Sequence, residues 1–133
     1  MKIELFSACQ SATTRGKLLD VVGMFGPLHI PFFPFELDRL VIAARIRFEA
    51  EEECGLHDFT ISTADEDSIS FGPDGVGKFE VSPDGDDFYV WRNAVVSIPT
   101  LKIESPMDLE IELRIDGQLV ASTCVLFQKE SKI

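Results

Sequence analysis

The stretch Met107-Asp108-Leu109-Glu110-Ile111-Glu112-Leu113-Arg114-Ile115 alternates apolar and polar residues throughout, and Asp116-Gly117 follows it. In an extended chain successive side chains point to opposite faces, so Met107, Leu109, Ile111, Leu113 and Ile115 share one face while the acids and Arg114 share the other. The pattern predicts a half-buried strand. Gly accepts the positive φ that a type I′ hairpin turn demands and Asp tolerates it, so Asp116-Gly117 predicts a two-residue turn. The chain then returns through Gln118 to Gln128, rich in Val, Thr and Leu, as the second arm of a hairpin.

The same period organises the rest of the chain. Arg39 to Glu49 reads as a strand with Leu40, Ile42, Ala44, Ile46 and Phe48 inward and Arg39, Arg45, Arg47 and Glu49 outward. Glu51 to Gly55 is a turn, and His57 to Thr63 returns with Phe59 and Ile61 on one face. Ile3 to Cys9 and Lys17 to Met24 read as strands joined by a polar loop, Gln10 to Gly16. Val90 to Ile98 is another strand, and Ile69 to Phe71 and Lys78 to Val81 are shorter ones. Pro73-Asp74-Gly75 recurs as Pro83-Asp84-Gly85, each combining the fixed φ of Pro with the permissive φ of Gly that a tight turn needs. No window of helical length keeps an apolar stripe unbroken by Gly or Pro. About eight short strands with turn signals between them predict an all-β fold, an antiparallel two-sheet β-sandwich of Ig-like or C2-like kind with little helix. At 133 residues the chain suits one domain, residues 1–133.

Phe25 to Leu37 does not fit a strand meander. It holds three of the seven prolines and four of the eleven phenylalanines, too apolar for an exposed loop and too proline-rich for a central strand. It reads as an extended crossover that packs along an edge or caps the sandwich.

The layout resembles a small uncharacterised bacterial domain family of about this length. The resemblance rests on Phe6-Ser7-Ala8-Cys9, on Gly16-Lys17-Leu18-Leu19-Asp20-Val21-Val22-Gly23, on the crossover from Gly26-Pro27 to Pro34, and on Glu110 to Ser122 around Asp116-Gly117. It implies a β-sandwich of unknown role, and it brings no catalytic or cofactor motif.

Charge and cysteine content bound the function. A net charge of −11 disfavours a grip on nucleic-acid phosphates and on anionic lipid. Glu49 to Asp87 carries thirteen acids and one base, Lys78, whereas the remainder holds ten acids and eleven bases, so the acidity belongs to one segment. Cys9, Cys54 and Cys124 are an odd number without paired spacing, which fits reduced cytoplasmic thiols better than disulfides or zinc. Cys9 and Cys124 sit in apolar runs and are expected to be small core residues, with Cys54 in an acidic loop. The polar SACQSATTRGK after MKIELF is unlike a signal peptide, and no apolar run is long enough to span a bilayer.

Metal binding is the sharpest site reading. If the strands from Arg39 to Val81 form a meander, Asp65, Glu66 and Asp67 share an end with Asp84, Asp86 and Asp87, and clustered carboxylates suit a hard ion such as Ca²⁺. The metal candidates are Asp65, Asp67, Asp84, Asp86 and Asp87, although aspartates are also ordinary turn residues and no EF-hand spacing is present. Catalysis has thinner support. His29 and His57 lie beside no Gly-x-Ser-x-Gly elbow or His-Glu-x-x-His helix. Glu110 and Glu112 point the same way but read as a solvated face, neutralised by Arg45 and Arg47 on a neighbouring strand. Pro73-Asp74-Gly75-Val76-Gly77-Lys78 has only the tail of a phosphate loop.

Partner binding is the remaining class. Tyr89 and Trp91 alternate with Phe88 and Val90, so one pair faces out if the other faces in, and an outward Tyr-Trp pair beside Arg92 would be a contact surface. A lone Trp ordinarily fills the core. Tyr89, Trp91, Phe32 and Phe33 are the partner-binding candidates. The expected function is a non-catalytic binding or assembly module of the cytoplasm, with a protein partner or self-association, a calcium-dependent module as the alternative and a small hydrolase third.

Overall fold

The computed structural model describes residues 1–64, 75–82 and 85–131, and among them the chain forms eleven β-strands and no α-helix. These are β1 (Lys2–Arg15), β2 (Leu18–Met24), β3 (Leu28–Ile30), β4 (Phe35–Leu37), β5 (Leu40–Glu49), β6 (Gly55–Thr63), β7 (Val76–Val81), β8 (Tyr89–Ile98), β9 (Leu101–Ile103), β10 (Met107–Ile115) and β11 (Gln118–Lys129). A four-stranded sheet A runs β2-β1-β5-β8, a five-stranded sheet B runs β3-β11-β10-β6-β7, and β4 pairs with β9 as a two-stranded ribbon. The all-β sandwich is as predicted. The strand count is higher than eight because the crossover contributes β3 and β4, and residues 101–103 contribute β9. The pairing is not wholly antiparallel, since β3 joins β11 in parallel.

The hairpin of β10 and β11 forms as the alternation requires, with Asp116 at φ 51° and Gly117 at φ 81° in its turn. Both positive angles are what a type I′ turn needs to match the twist of the strands. Leu109, Ile111, Leu113 and Ile115 enter the core against Leu40, Ile42, Ala44, Ile46 and Phe48 of β5. Val41 and Ala43 are buried as well, on the opposite face of β5, where they join Cys9 in a second cluster.

That second cluster explains the largest departure from expectation. Gln10 to Gly16 is not a loop: β1 continues to Arg15, and only Gly16 and Lys17 turn. Ser11 to Arg15 pair with β2, from Ser11 opposite Val22 to Arg15 opposite Leu18. β1 pairs with β5 only as far as Cys9. Beyond it the β1–β2 hairpin folds back over the outer face of sheet A, laying Ala12, Leu19 and Val21 on Val41 and Ala43. Gly23, at φ 68°, sits at the bend, where a Cβ would run into the side chain of Gln10.

The meander is also corrected. β5 and β6 lie in different sheets, so the turn between them carries the chain from one layer to the other. β6 pairs directly with β7, Gly55 opposite Val81 and Thr60 opposite Val76. The chain therefore leaves β6 and β7 at opposite ends of the sandwich. Ile69 to Phe71 lies outside the described residues. The Phe25 to Leu37 crossover runs along the edge of sheet B, where Leu28, His29 and Ile30 pair with Phe127, Gln128 and Lys129.

Phe48 joins the two layers, fully buried, with its ring 4.9 Å from that of His57 and 5.9 Å from that of Phe79. Truncating such a side chain removes transfer energy and leaves a cavity. Phe48→Ala is expected to lower the unfolding free energy by about 3–5 kcal/mol in urea titration; a loss below about 1 kcal/mol would contradict this packing.

Candidate functional site

The outer face of sheet A carries the most organised polar and aromatic cluster, built from three neighbouring strands. Arg47 of β5 stands opposite Trp91 of β8, and Glu49 opposite Tyr89. Because side chains alternate, burial of Val90 at the core sends Tyr89 and Trp91 outward, each 40% exposed. This overturns the expectation that the lone Trp fills the core. Glu4 reaches the same face through a β-bulge. The register of β1 against β5 shifts between Ile3 and Leu5, so Glu4 is the extra residue, outward beside Leu5 while Ile3 packs against the core.

The Glu4 carboxylate accepts from Trp91 Nε1 at 3.0 Å and from Arg45 Nε at 3.1 Å. Arg45 Nη1 also donates to Asn93 Oδ1 and to the carbonyl of Lys17 at the tip of the folded-back hairpin, both at 3.2 Å. Its guanidinium lies 6.0 Å from the Trp91 ring, and that of Arg47 lies 4.3 Å from the Tyr89 ring. The two aromatic rings meet edge to face at 6.0 Å. Cation–π contact and hydrogen bonding hold the rings in place on the sheet. A pre-ordered aromatic surface of this kind loses little side-chain freedom on contact with a partner.

Arg92 is not part of that surface. It points between the layers, where Nε donates to the carbonyl of Glu80 on β7 at 2.9 Å and Nη1 to the carbonyl of Trp91 at 2.8 Å. Phe32 is 76% exposed, while Phe33 packs against the core, so only one of the two crossover candidates presents its ring to solvent.

Asp86 and Asp87 are exposed and line a cleft of about 590 Å³ with Glu49, Glu51, Glu52 and Phe88. Their neighbours are the acids of the β5–β6 turn, because β8 pairs along β5 to Glu49. Asp65, Asp67 and Asp84 lie outside the described residues, and the meander that was to bring the two acidic loops together is not the observed topology. Among the described residues no group of three His, Cys, Asp or Glu side chains is placed to hold a metal ion. In this turn the Glu52 carboxyl is pushed up by its hydrogen bond with Glu49 and by that residue's charge.

His57 occupies a clamp. Nδ1 lies 2.7 Å from Asp116 Oδ2 and Nε2 lies 2.6 Å from the carbonyl of Glu53. Both neighbours are acceptors, so both ring nitrogens donate and the imidazolium is the form that satisfies the site. The Glu53 carbonyl first, and then the Asp116 carboxylate, hold the His57 pKa above its ordinary value, against the opposing effect of burial. His57 in turn holds Asp116 low, and Asp116 Oδ1 accepts from the backbone N–H of Asp58 at 3.0 Å. The Glu53 carboxylate pairs with the N-terminal ammonium at 2.6 Å. His29 is exposed on β3.

The cysteines are free. Cys9 is buried as expected, and burial pushes its thiol up. Cys124 is exposed rather than in the core, and desolvation followed by the charge of Asp108 pushes its thiol up too. Both shifts run away from the reactive thiolate. Glu110 and Glu112 lie on sheet B, a layer away from Arg45 and Arg47; Glu112 pairs instead with Arg114 at 3.1 Å. Val76 to Lys78 open a strand, not the helix a phosphate loop requires. Among the described residues no helix is long and apolar enough to cross a membrane.

The His57 clamp predicts a pH dependence. A pKa raised in the folded state means that the folded protein binds the proton more tightly, so the stabilisation is complete below the unfolded value of about 6.5. It is lost as pH rises through the higher folded value. Urea midpoints are expected to fall over that window, and His57→Gln is expected to flatten the fall; an unchanged slope in the variant would remove His57 as its source.

None of the curated proteins and none of the solved structures matches the chain. Residues 4–126 match a family model, so the chain belongs to a family of unknown function, DUF6941, which spans nearly all of the sandwich just described.

Proposed function

We propose that this protein is a non-catalytic binding or assembly module of the cytoplasm, and that its contact face is the Tyr89–Trp91 row on the outside of sheet A. One observation carries the reading: the only Trp and the only Tyr of the chain stand side by side and outward, with the guanidinium of Arg47 over the Tyr89 ring and that of Arg45 beside the Trp91 ring. Tyr, Trp and Arg dominate the centres of protein interfaces because they offer large area at low entropic cost. The partner is a protein, since the net charge of −11 opposes nucleic acid and anionic membrane alike. A reducing compartment accords with the three free cysteines.

A photo-crosslinking phenylalanine derivative placed at position 89 in the source cell tests this. The expected result is an adduct with one defined protein, another copy included, which is absent when the probe replaces Glu110 on sheet B. Arg47→Glu should reduce the adduct roughly tenfold by unstacking Tyr89. No adduct at position 89, or equal adducts at both positions, would overturn the proposal.

A further inference from the structure

Among the described residues β8 is the last strand of sheet A and pairs only with β5. The N–H of Ala50 donates to the carbonyl of Phe88 at 2.9 Å, and the register then runs without a bulge from Glu49–Tyr89 to Leu40–Ile98. In an antiparallel ladder, backbone groups alternate between the two sides of a strand. Phe88, Val90, Arg92, Ala94, Val96 and Ile98 therefore turn their N–H and C=O groups toward β5. Tyr89, Trp91, Asn93, Val95 and Ser97 turn theirs away, toward the open edge. Among the described residues a cleft of about 670 Å³ separates this edge from β7, with Phe79, Ala94 and Val96 in its lining.

The free row has two ends. At one, the Trp91 carbonyl already accepts from Arg92 Nη1 at 2.8 Å. At the other, β8 stops at Ile98 and Pro99 follows, which has no N–H to donate. Trp91 and Pro99 are equally far from Val95, four residues on either side. Between them the outward positions are Asn93, Val95 and Ser97, all uncharged.

We infer that the occupant of this edge is a second copy of the same chain, joined by antiparallel addition of β8 to β8 about a two-fold axis at Val95. In that register Val95 faces Val95, and Asn93 faces Ser97 in both directions. Each facing pair exchanges two backbone hydrogen bonds. Trp91 then stands opposite Pro99 of the second copy. Proline would leave the Trp91 carbonyl without a donor, and the donor that carbonyl already has is Arg92. The missing N–H and the filled carbonyl thus meet in this one register, which is what distinguishes a second copy from an arbitrary extended segment. Val95 is apolar and 37% exposed, so the contact begins without desolvating a charge, although the chain as a whole is strongly acidic. The interface is isologous, as two-fold symmetry requires. This inference deepens the assembly reading by naming the partner, and it places Trp91 at the interface margin.

Sedimentation equilibrium of the intact protein over a range of concentrations tests it. The parent is expected at twice the monomer mass of 14.8 kDa. Val95→Lys and Val95→Glu each place like charges directly opposite across the axis and should weaken association roughly tenfold or more. Because Val95 is already partly exposed, both variants should keep the parent circular dichroism spectrum. An equimolar mixture of the two should restore the dimer, since only a residue that faces itself is rescued by opposite charges at one position. A monomeric parent, a Val95→Lys variant that dimerises like the parent, or a mixture that stays monomeric would each overturn the inference. A monomeric parent whose position 89 probe still captures another protein would leave the binding-module reading standing, whereas one that captures nothing would remove both.

Discussion

Burial of β5 on both faces is the constraint from which the rest of the molecule follows. Leu40, Ile42, Ala44, Ile46 and Phe48 face sheet B, and each is fully removed from solvent. Val41 and Ala43, on the other side, would be exposed if sheet A ended as a plain outer layer. Covering them requires a third piece of chain, and the folded-back end of the β1–β2 hairpin supplies it. Past residue 44 the outer positions of β5 change from Val and Ala to Arg45, Arg47 and Glu49, and the cover stops. The open half of the face is where Tyr89 and Trp91 stand.

Arg45 marks the border between the two halves. It holds the hairpin tip through the Lys17 carbonyl, the bulged Glu4 through a carboxylate and β8 through Asn93, and it lies beside Trp91. A guanidinium can do this because it offers five donors in a planar fork. The same residue type does different work at Arg92, whose charge points inward and satisfies carbonyls from β7 and β8. An inward charge is one of the ways in which a sandwich limits unwanted pairing at its edges. It leaves the Asn93 to Ser97 part of the edge unguarded.

The acidity of residues 49–87 has a structural counterpart in the turn between β5 and β6. Glu49, Glu51 and Glu52 crowd there with Asp86 and Asp87, while Glu53 is turned to the N-terminal ammonium. His57 brings a positive charge to the neighbouring clamp, through Asp116 and the Glu53 carbonyl. The crossing from sheet A to sheet B is thus made in a region of close like charges, relieved by the N-terminal ammonium from the far end of the chain and by His57 from the start of the strand that follows the turn.

Local periodicity determined the long strands of the core. The alternation of residues 107–115, the Asp116-Gly117 turn and the inward set of β5 were all legible, because a strand's two faces and a turn's φ angles depend on residues only a few positions apart. Two of the four partner candidates were legible as a pair for the same reason, since Tyr89 and Trp91 must share a face. The face itself was misread, because Phe88-Tyr89-Val90-Trp91 is apolar on both sides, alternation cannot choose between them, and the expectation that a lone Trp fills the core chose wrongly. Only the tertiary structure decided that choice, through the burial of Val90 against the core, the Glu4 bulge that offers Trp91 Nε1 an acceptor, and the Arg47 ring contact. It also decided that β6 pairs directly with β7, so that the chain leaves these two strands at opposite ends of the sandwich rather than at the same end, as a meander through one further strand would have it. Pairing between strands far apart in sequence is selected by the burial of whole faces against one another, and that energy belongs to the assembled layers rather than to any stretch of the chain.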